Sequence, residues 1–332
     1  MALSISNLVL RRGGIDLHFI GLDNYTDLLF GTKREQFLGL LKPPTPLGWA
    51  ILVGAVAFAV WTFARAVRSR RMRPTGLAVR LGACIVFVGF VWLFVQALVS
   101  QGGRPGTLIV TIIYVAAGIT VQYLLGLGLA ILAVQQVPWR RFFRVAFLLP
   151  LTITPVGIGY MFKMITDTSK GPFRPIFADL GLSHYTWVTD PWAARVAVLI
   201  GDTWQWTPFV FIVLLAALES LDQEVREAAL VDGASRWQSF VNITLPAILP
   251  VSTTIVLIRM IEGFKIVDMP NILLGGGPGI STQSLSLEAY LDWHTFDLGR
   301  SAATAYLLLI VVTIAATAYV SWIRRRVATE AI

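Results

Sequence analysis

The sequence predicts an all-α protein: a polytopic bundle of helices that crosses a membrane several times. Three observations carry this. Apolar residues make up 56% of the 332 residues and charged ones only 14%, with a mean hydropathy of +0.70. A soluble chain of this length needs more charge to cover its surface. The apolar residues gather in runs of about 20, the length a helix needs to cross the hydrocarbon. The arginines gather in short clusters between those runs, where they set orientation. The formal charge of +8 resides in these clusters, so it is no signal for nucleic acid. The lone Cys84 sits inside an apolar run, and His18, His184 and His294 are scattered, so neither a disulfide framework nor a metal site is expected.

Residues 1–42 are mixed and polar, without the apolar core of a signal peptide. The first span is 46–64. Arg65, Arg68, Arg70, Arg71, Arg73 and Arg80 follow and belong on the cytoplasmic side. The second span, 81–99, ends at Gln101-Gly102-Gly103. The third, 108–134, holds Gly118, Gly126 and Gly128, small residues that let helices approach closely in lipid. Arg140, Arg141 and Arg144 mark the next cytoplasmic turn. The fourth, 145–165, carries Pro150, Pro155, Gly157 and Gly159. Such a broken helix survives in lipid only where neighbours satisfy its freed backbone, so it should face the bundle interior. The loop 166–191 is external, with Trp187 and Trp192 placed as interfacial anchors. The spans 193–218, 247–266 and 302–323 complete a count of seven. An external Gly275-Gly276-Gly277-Pro278-Gly279 loop precedes the last, and Arg324, Arg325 and Arg326 open a cytoplasmic tail, 324–332.

Between two of these spans lies a polar island, 220–246. Ser220 with Gln223, and Ser235 with Gln238, are capping-box patterns that start two short helices. Glu224 and Glu227 lie early in the first, where negative charge suits the dipole. Gly233 after Asp232 is a natural stop, because glycine tolerates the left-handed conformation. Leu221, Val225, Ala228 and Ala229 share one shallow apolar face that a partner could approach closely.

Glu227-Ala228-Ala229, three residues, Gly233, nine residues, Ile243, one residue, Leu245-Pro246 resembles the EAA loop of ABC importer permeases at every defined position. The resemblance continues over about 106–323, in Gly126-Leu127 with Ala130 and Leu132, in Trp204 with Pro208-Phe209, and in Gly263-Phe264-Lys265 before the glycine loop. Phe19-Ile20-Gly21-Leu22-Asp23-Asn24-Tyr25 is similar to an external segment of the sugar-type branch. The resemblance implies a type I ABC importer transmembrane fold over 106–323, with 220–246 as the coupling loop. In that reading Glu227, Ala228, Ala229, Asp232, Gly233, Ile243, Leu245 and Pro246 join transport to an ATPase. Residues 1–42 are then an external segment, and 43–105 an inserted transmembrane hairpin that departs from the family pattern. That family has a span just before the segment which 19–25 matches. The natural product is accordingly expected to begin upstream of Met1 with one more span, or to have replaced it with the hairpin.

Two sets of residues are candidates for a solute path. Arg259, Glu262, Lys265 and Asp268 are ionisable groups in or beside one span. Each costs about 2.5–3.5 kcal/mol inside a membrane even on the lenient scale, so they must pair or line water. Their spacing of three predicts pairing of Glu262 with Arg259 or Lys265, and of Lys265 with Asp268. They form either a polar wall of the path or a self-neutralising ladder that holds the bundle. Asp202, Trp204, Gln205 and Trp206 are the second set. Aromatic rings with sparse hydrogen-bonding groups suit the CH faces and hydroxyls of a sugar; packing is the other reading of the two tryptophans.

The chain has no phosphate loop, since the glycine run at Gly275 lacks the lysine such a loop needs. It shows no catalytic or metal constellation, so no enzyme activity and no cofactor of its own are expected. The resemblance implies a permease subunit in a prokaryotic plasma membrane, importing a carbohydrate or polyol. Its partners would be a second permease, two ATP-binding cassette ATPases that hold the ATP and Mg, and an external solute-binding protein, all in or beside the lipid bilayer. The alternative is an ion-coupled secondary transporter that uses the ionisable ladder; no internal repeat supports it.

Overall fold

In the computed structural model the chain is described except at residues 1, 12–13, 69–73, 101, 135–139, 169, 182–188, 223–224, 226–227, 230 and 331–332. The side chains of 8–11, 14–16, 66, 74–80, 83, 86, 140–141, 143–144 and 324–330 are likewise outside the description. The predicted Gln223 cap, Glu224, Glu227, Trp187 and the side chains of most of the basic clusters fall in these gaps.

The expected all-α bundle is present. Five helices among the described residues are long and apolar enough to cross a membrane: α3 (Pro46–Arg68), α5 (Thr107–Val134), α9 (Pro191–Glu219), α10 (Arg236–Phe264) and α13 (Leu298–Glu330). The expected second span is α4 (Pro74–Leu98), whose described apolar stretch, Phe87–Leu98, is shorter than a crossing. The broken span is two helices, α6 (Arg140–Thr152) and α7 (Pro155–Thr166), which meet at 102°. Thr154 caps α7 by accepting a hydrogen bond from the Gly157 N–H, and Pro155 opens it, so the chain stops and restarts there rather than kinking. The pair nevertheless runs alongside α9. Phe147 of α6 meets Phe211 at 5.6 Å, and Phe162 of α7 meets Trp204 at 5.8 Å. The α7 face bearing Ile158 and Phe162 is buried, but the break itself is not: residues 151–156 are exposed in this chain, as is Tyr160, against the interior placement the sequence predicted.

The helix α5 packs along α9, and α10 lies against both. Toward the end of α5 that carries Ala130, the core is Val210, Phe211, Leu214, Leu215, Ile248 and Ile255. A Cβ on Gly126 would meet Val210 Cγ1 at 2.7 Å, so the absence of a side chain there lets α5 and α9 approach. Gly128 faces open space and has no such role. Toward the other end the core is Val110, Tyr114, Ile158, Ala197, Val198 and Met269. The last helix, α13, closes the bundle against Val115, Met260 and Phe264.

Residues 1–42 are folded, which sequence patterning did not predict. Strands β1 (Ser6–Arg11) and β2 (Gly14–Phe19) form an antiparallel hairpin, followed by α1 (Asp23–Phe30) and α2 (Arg34–Phe37). Asn24 donates to the Ser4 carbonyl at 3.0 Å, and the Tyr25 hydroxyl to Ser4 Oγ at 2.9 Å. Leu28 and Phe37 are buried against Leu285 and Ala303. β3 (Gly39–Leu40) pairs with β4 (Arg104–Pro105), tying this segment to the exit of α4. The segment therefore sits on the same face as the start of α5 and the start of α13. The helices α3 and α4 pack on each other, with Trp49 against Trp92 at 6.1 Å, and touch the rest of the fold mainly through β3 and β4. Most of the α3 surface is exposed apolar side chain, as a lipid-facing helix requires.

Candidate functional site

Two candidate sites lie at different depths. The first is the loop between α9 and α10. Leu218 is buried in the core that ends α9, and Leu221 packs against it, so the loop springs from a fixed base. Ser220 does not start a helix. Its N–H bonds the Ala216 carbonyl and its hydroxyl donates to the Ala217 carbonyl at 2.8 Å, so it closes α9. Val225, Ala228, Ala229 and Val231, which follow, are helical. This helix ends as the sequence predicted. The Ala234 N–H reaches the Ala229 carbonyl at 3.0 Å, and Gly233 has φ of +84°, the 6→1 bond and left-handed residue of a Schellman stop. The space around Gly233 is open, so its constraint is backbone conformation rather than crowding.

The second capping box is formed. Ser235 Oγ accepts from the Gln238 N–H at 3.3 Å, and Gln238 Oε1 accepts from the Ser235 N–H at 2.8 Å. The helix it opens runs without interruption into the membrane span, through a π-helical turn at Phe240–Thr244. Ile243 is half-buried in that turn, Leu245 packs on the core of α5 and α9, and Pro246 is exposed. Val225, Ala228, Val231, Asp232 and Trp237 are exposed, Val231 at 86% and Trp237 at 72%. Trp237 stacks on Phe240 at 5.8 Å and presents a large apolar surface to solvent. Pattern reading passed over it, although an indole in a polar loop is itself a contact signal.

The second site is buried at mid-bundle and unites the two solute-path sets. Arg259 of α10 pairs with Asp202 of α9, Nη2 to Oδ2 at 3.0 Å. Its predicted partner was Glu262, one turn away on its own helix. Gln122 of α5 joins them. Its amide donates to Asp202 Oδ2 at 2.7 Å, and its carbonyl accepts from Arg259 Nε at 2.7 Å. The Trp206 ring lies under the guanidinium at 4.3 Å, a cation–π contact that covers its face. Arg259 is 2% exposed and Gln122 fully buried. Of the three Arg259 guanidinium nitrogens, Nη1 has no hydrogen-bond partner among the described residues. One cation, one carboxylate and one bridging amide from three helices thus neutralise one another in the buried interior. Gln122 was missed by sequence reading. Its signal was available: a lone amide in an apolar run must find a partner.

The remaining candidates lie apart. Glu262 pairs with Lys265 at 2.7 Å, as one of the predicted alternatives had it, but this pair is solvent-exposed at the end of α10. The expected Lys265–Asp268 pair is absent, because the helix stops at Phe264 and Asp268 starts the next one, α11 (Asp268–Leu274). Gln205 is buried. Trp204 points away from Arg259, into an apolar groove of about 740 Å³ between α5, α6 and α9, lined also by Val121, Leu125, Phe147 and Pro150. That groove offers almost no hydrogen-bonding group, so its chemistry suits acyl chains or an apolar helix and not a sugar.

The family described as binding-protein-dependent transport system inner membrane component matches residues 122–329. The chain is 32% identical over 203 residues to the trehalose/maltose transport system permease protein MalF of Thermococcus litoralis, covering 61% of this chain and 69% of that protein. It is 28% identical over 221 residues to the sulfoquinovosyl glycerol transport system permease protein SmoG of Agrobacterium fabrum, covering 66% of this chain and 70% of that one. In fold it resembles a chain in the crystal structure of a bacterial ABC transporter that imports the acidic polysaccharide alginate. The TM-score is 0.60 at 23% identity, covering 66% of this chain and 78% of that one.

Proposed function

We infer the function from the premise that the chain belongs to the family of binding-protein-dependent transport system inner membrane components. It is a multi-pass membrane protein and the permease component of an ABC importer. We propose that it carries a carbohydrate or polyol, because its relatives named for transport of trehalose and maltose or of a sulfoquinovosyl glycerol align over about two thirds of their lengths. In this proposal it pairs with a second permease, receives solute from an external binding protein, and binds two ATPase subunits that hold the ATP and Mg. It needs no cofactor of its own.

The observation that carries the coupling assignment is the Ala228–Ala229–Gly233 turn with its exposed apolar surface. It stands on a buried base at the joined ends of α9 and α10, on the face opposite residues 1–42. Glu227, Ala228, Ala229, Asp232 and Gly233 meet the ATPase. Ile243, Leu245 and Pro246 pass its movement into α10. When ATP draws the ATPase pair together, the two permeases rock between inward- and outward-open states, and ATP supplies the differential affinity that biases them. Asp202, Gln122, Arg259 and Trp206 stand where α5, α9 and α10 meet and would border the path between the two permeases. The ion-coupled alternative loses its support, since Arg259 is already neutralised by Asp202. The test is co-purification with the ATPases, then ATPase activity with maltose, trehalose, a polyol and an acidic sugar, each with its binding protein. No stimulation by any of them, with the ATPases bound, would overturn the carbohydrate assignment. Wild-type uptake in both Gly233→Val and Glu227→Ala would overturn the coupling loop.

A further inference from the structure

A cavity of about 460 Å³, its wall mostly apolar with a few polar groups, opens where the exit of α4 meets the start of α9 and the glycine loop. Its size is that of a small-molecule site. Arg104, Trp192, Arg195 and Ser281 supply its polar and aromatic wall, with Gly279 and Pro278 beside them. None of its lining residues is acidic.

Two features distinguish it from a packing gap. Arg195 is 3% exposed. Its Nε donates to the Ser281 carbonyl at 2.7 Å and its guanidinium lies 4.7 Å from the centre of the Trp192 ring. Asp190, whose carboxylate accepts from the Ala193 N–H at 2.7 Å, acts on it electrostatically, but no carboxylate among the described residues forms an ion pair with it. A buried guanidinium without an ion-pair partner is costly unless an anion joins it. Ser281 is 7% exposed and its Oγ is buried with no hydrogen-bond partner among the described residues. The loop cannot turn to relieve it, because Tyr114 holds the Thr282 carbonyl and Thr282 Oγ1 holds that of Gly277. An orphan hydroxyl and a guanidinium with no ion-pair partner thus line one cavity. Arg104, exposed, adds a second positive charge.

We propose that this cavity is an entry site for a sugar unit bearing a carboxylate. Arg195 and Arg104 take the carboxylate, Ser281 a ring hydroxyl, and Trp192 flanks the ring. The proposal rests on the carbohydrate reading above. Two guanidiniums and no acidic side chain in the lining favour a sugar that carries a negative charge over a neutral one. Arg195 and Asp202 are seven residues apart, so they share one face of α9, about 10 Å along its axis. The cavity thus caps the stripe that carries the Asp202–Arg259 pair deeper in the bundle. β4 supplies Arg104, so the segment that follows the α3–α4 hairpin contributes to selectivity.

The test uses the assembled transporter in phosphatidylcholine nanodiscs, with D-glucuronate and D-glucose as probes in calorimetric titration. Glucuronate is expected to bind at least tenfold more tightly than glucose. Arg195→Gln and Ser281→Val should each weaken glucuronate about tenfold or more. Arg104→Gln, at an exposed position where folding is not at risk, should weaken it severalfold. Glucose binding as tightly as glucuronate, or unchanged glucuronate binding in Arg104→Gln and Ser281→Val, would overturn the site. So would inorganic phosphate matching glucuronate, or loss of the binding when phosphatidylglycerol is added, which would assign the cavity to a bare anion or to a lipid headgroup. ATPase stimulation by a neutral sugar, without glucuronate binding, refutes the site and leaves the permease assignment standing. If neither kind of sugar stimulates the ATPase, the carbohydrate assignment falls, and the site's sugar with it.

Discussion

Arg259 and Asp202 are held 3.0 Å apart on different helices, with Gln122 bonded to both. Removing one partner of a buried pair leaves the other charge uncompensated, at about 3–5 kcal/mol. Asp202→Ala and Arg259→Ala should therefore each lower the thermal stability of the purified complex sharply. Asp202→Asn with Arg259→Gln, which removes both charges and keeps hydrogen-bonding groups, should lose less than either single variant. Additive losses in this double-mutant cycle would show that the two residues do not act as a pair.

The coupling loop makes a different prediction, because its residues are exposed. Trp237 is 72% exposed, so Trp237→Ala should leave the melting temperature of the permease alone unchanged. Retention of the ATPase on purification should fall, together with solute uptake. Gly233→Val places a branched side chain at φ of +84°, a conformation that costs an L-residue roughly 1–2 kcal/mol, and should have the same effect by misdirecting the turn. Full ATPase retention in both variants would move the docking surface elsewhere.

These two sites were not equally legible in the sequence. Loop chemistry is local: the Ser235–Gln238 box and the Gly233 stop are written in residues three or four apart, and both are present. The polar cluster is a matter of tertiary contact. The spacing of Arg259, Glu262, Lys265 and Asp268 offered partners on one helix, yet Arg259 found its carboxylate on α9, because that is where burial left a charge to satisfy. Sequence spacing also cannot show that α10 ends at Phe264, which separates Asp268 from Lys265. The folded character of 1–42 was hidden for a similar reason. Leu28 and Phe37 are buried only because α13 and the short helix before it present Ala303 and Leu285.

A pH dependence follows from Glu288, in the short helix Leu285–His294 outside the spans. Burial pushes its carboxyl up to about 7 from an ordinary 4.5, and the nearby Asp292 adds to the rise. The Thr107 hydroxyl, which donates at 2.5 Å, acts against it, as do Arg300 of α13 and Lys33 of the N-terminal segment. The folded chain thus holds a proton that the unfolded chain releases. Stability from this group is present below about 4.5, is lost as pH rises toward 7, and stays lost above. Glu288→Gln should flatten that decline and raise the melting temperature at pH 8 relative to wild type. An identical pH profile in the variant would show that Glu288 is not the responsible group.

The last prediction concerns sidedness. Residues 1–42 are locked to the start of α13 by Leu28, Phe37 and Ala303 and to β4 by the β3 pairing. The loop bearing Gly233 joins the opposite ends of α9 and α10. The bent pair α6–α7 contacts α9 near Phe211 and again near Trp204, so it traverses the bundle and counts as a crossing despite its 102° bend. The arginine clusters at 65–80, 140–144 and 324–326 then share the side of the Gly233 loop, and the positive-inside rule makes that side cytoplasmic. Ser4 is buried and would report poorly, so Glu35 and Val231, both exposed, are the better positions. In a background with Cys84→Ser, Glu35→Cys should react with a membrane-impermeant maleimide on intact cells. Val231→Cys should react only after permeabilisation. The reverse pattern would invert the whole bundle, and labelling of both from outside would mean that α6–α7 turns back without crossing.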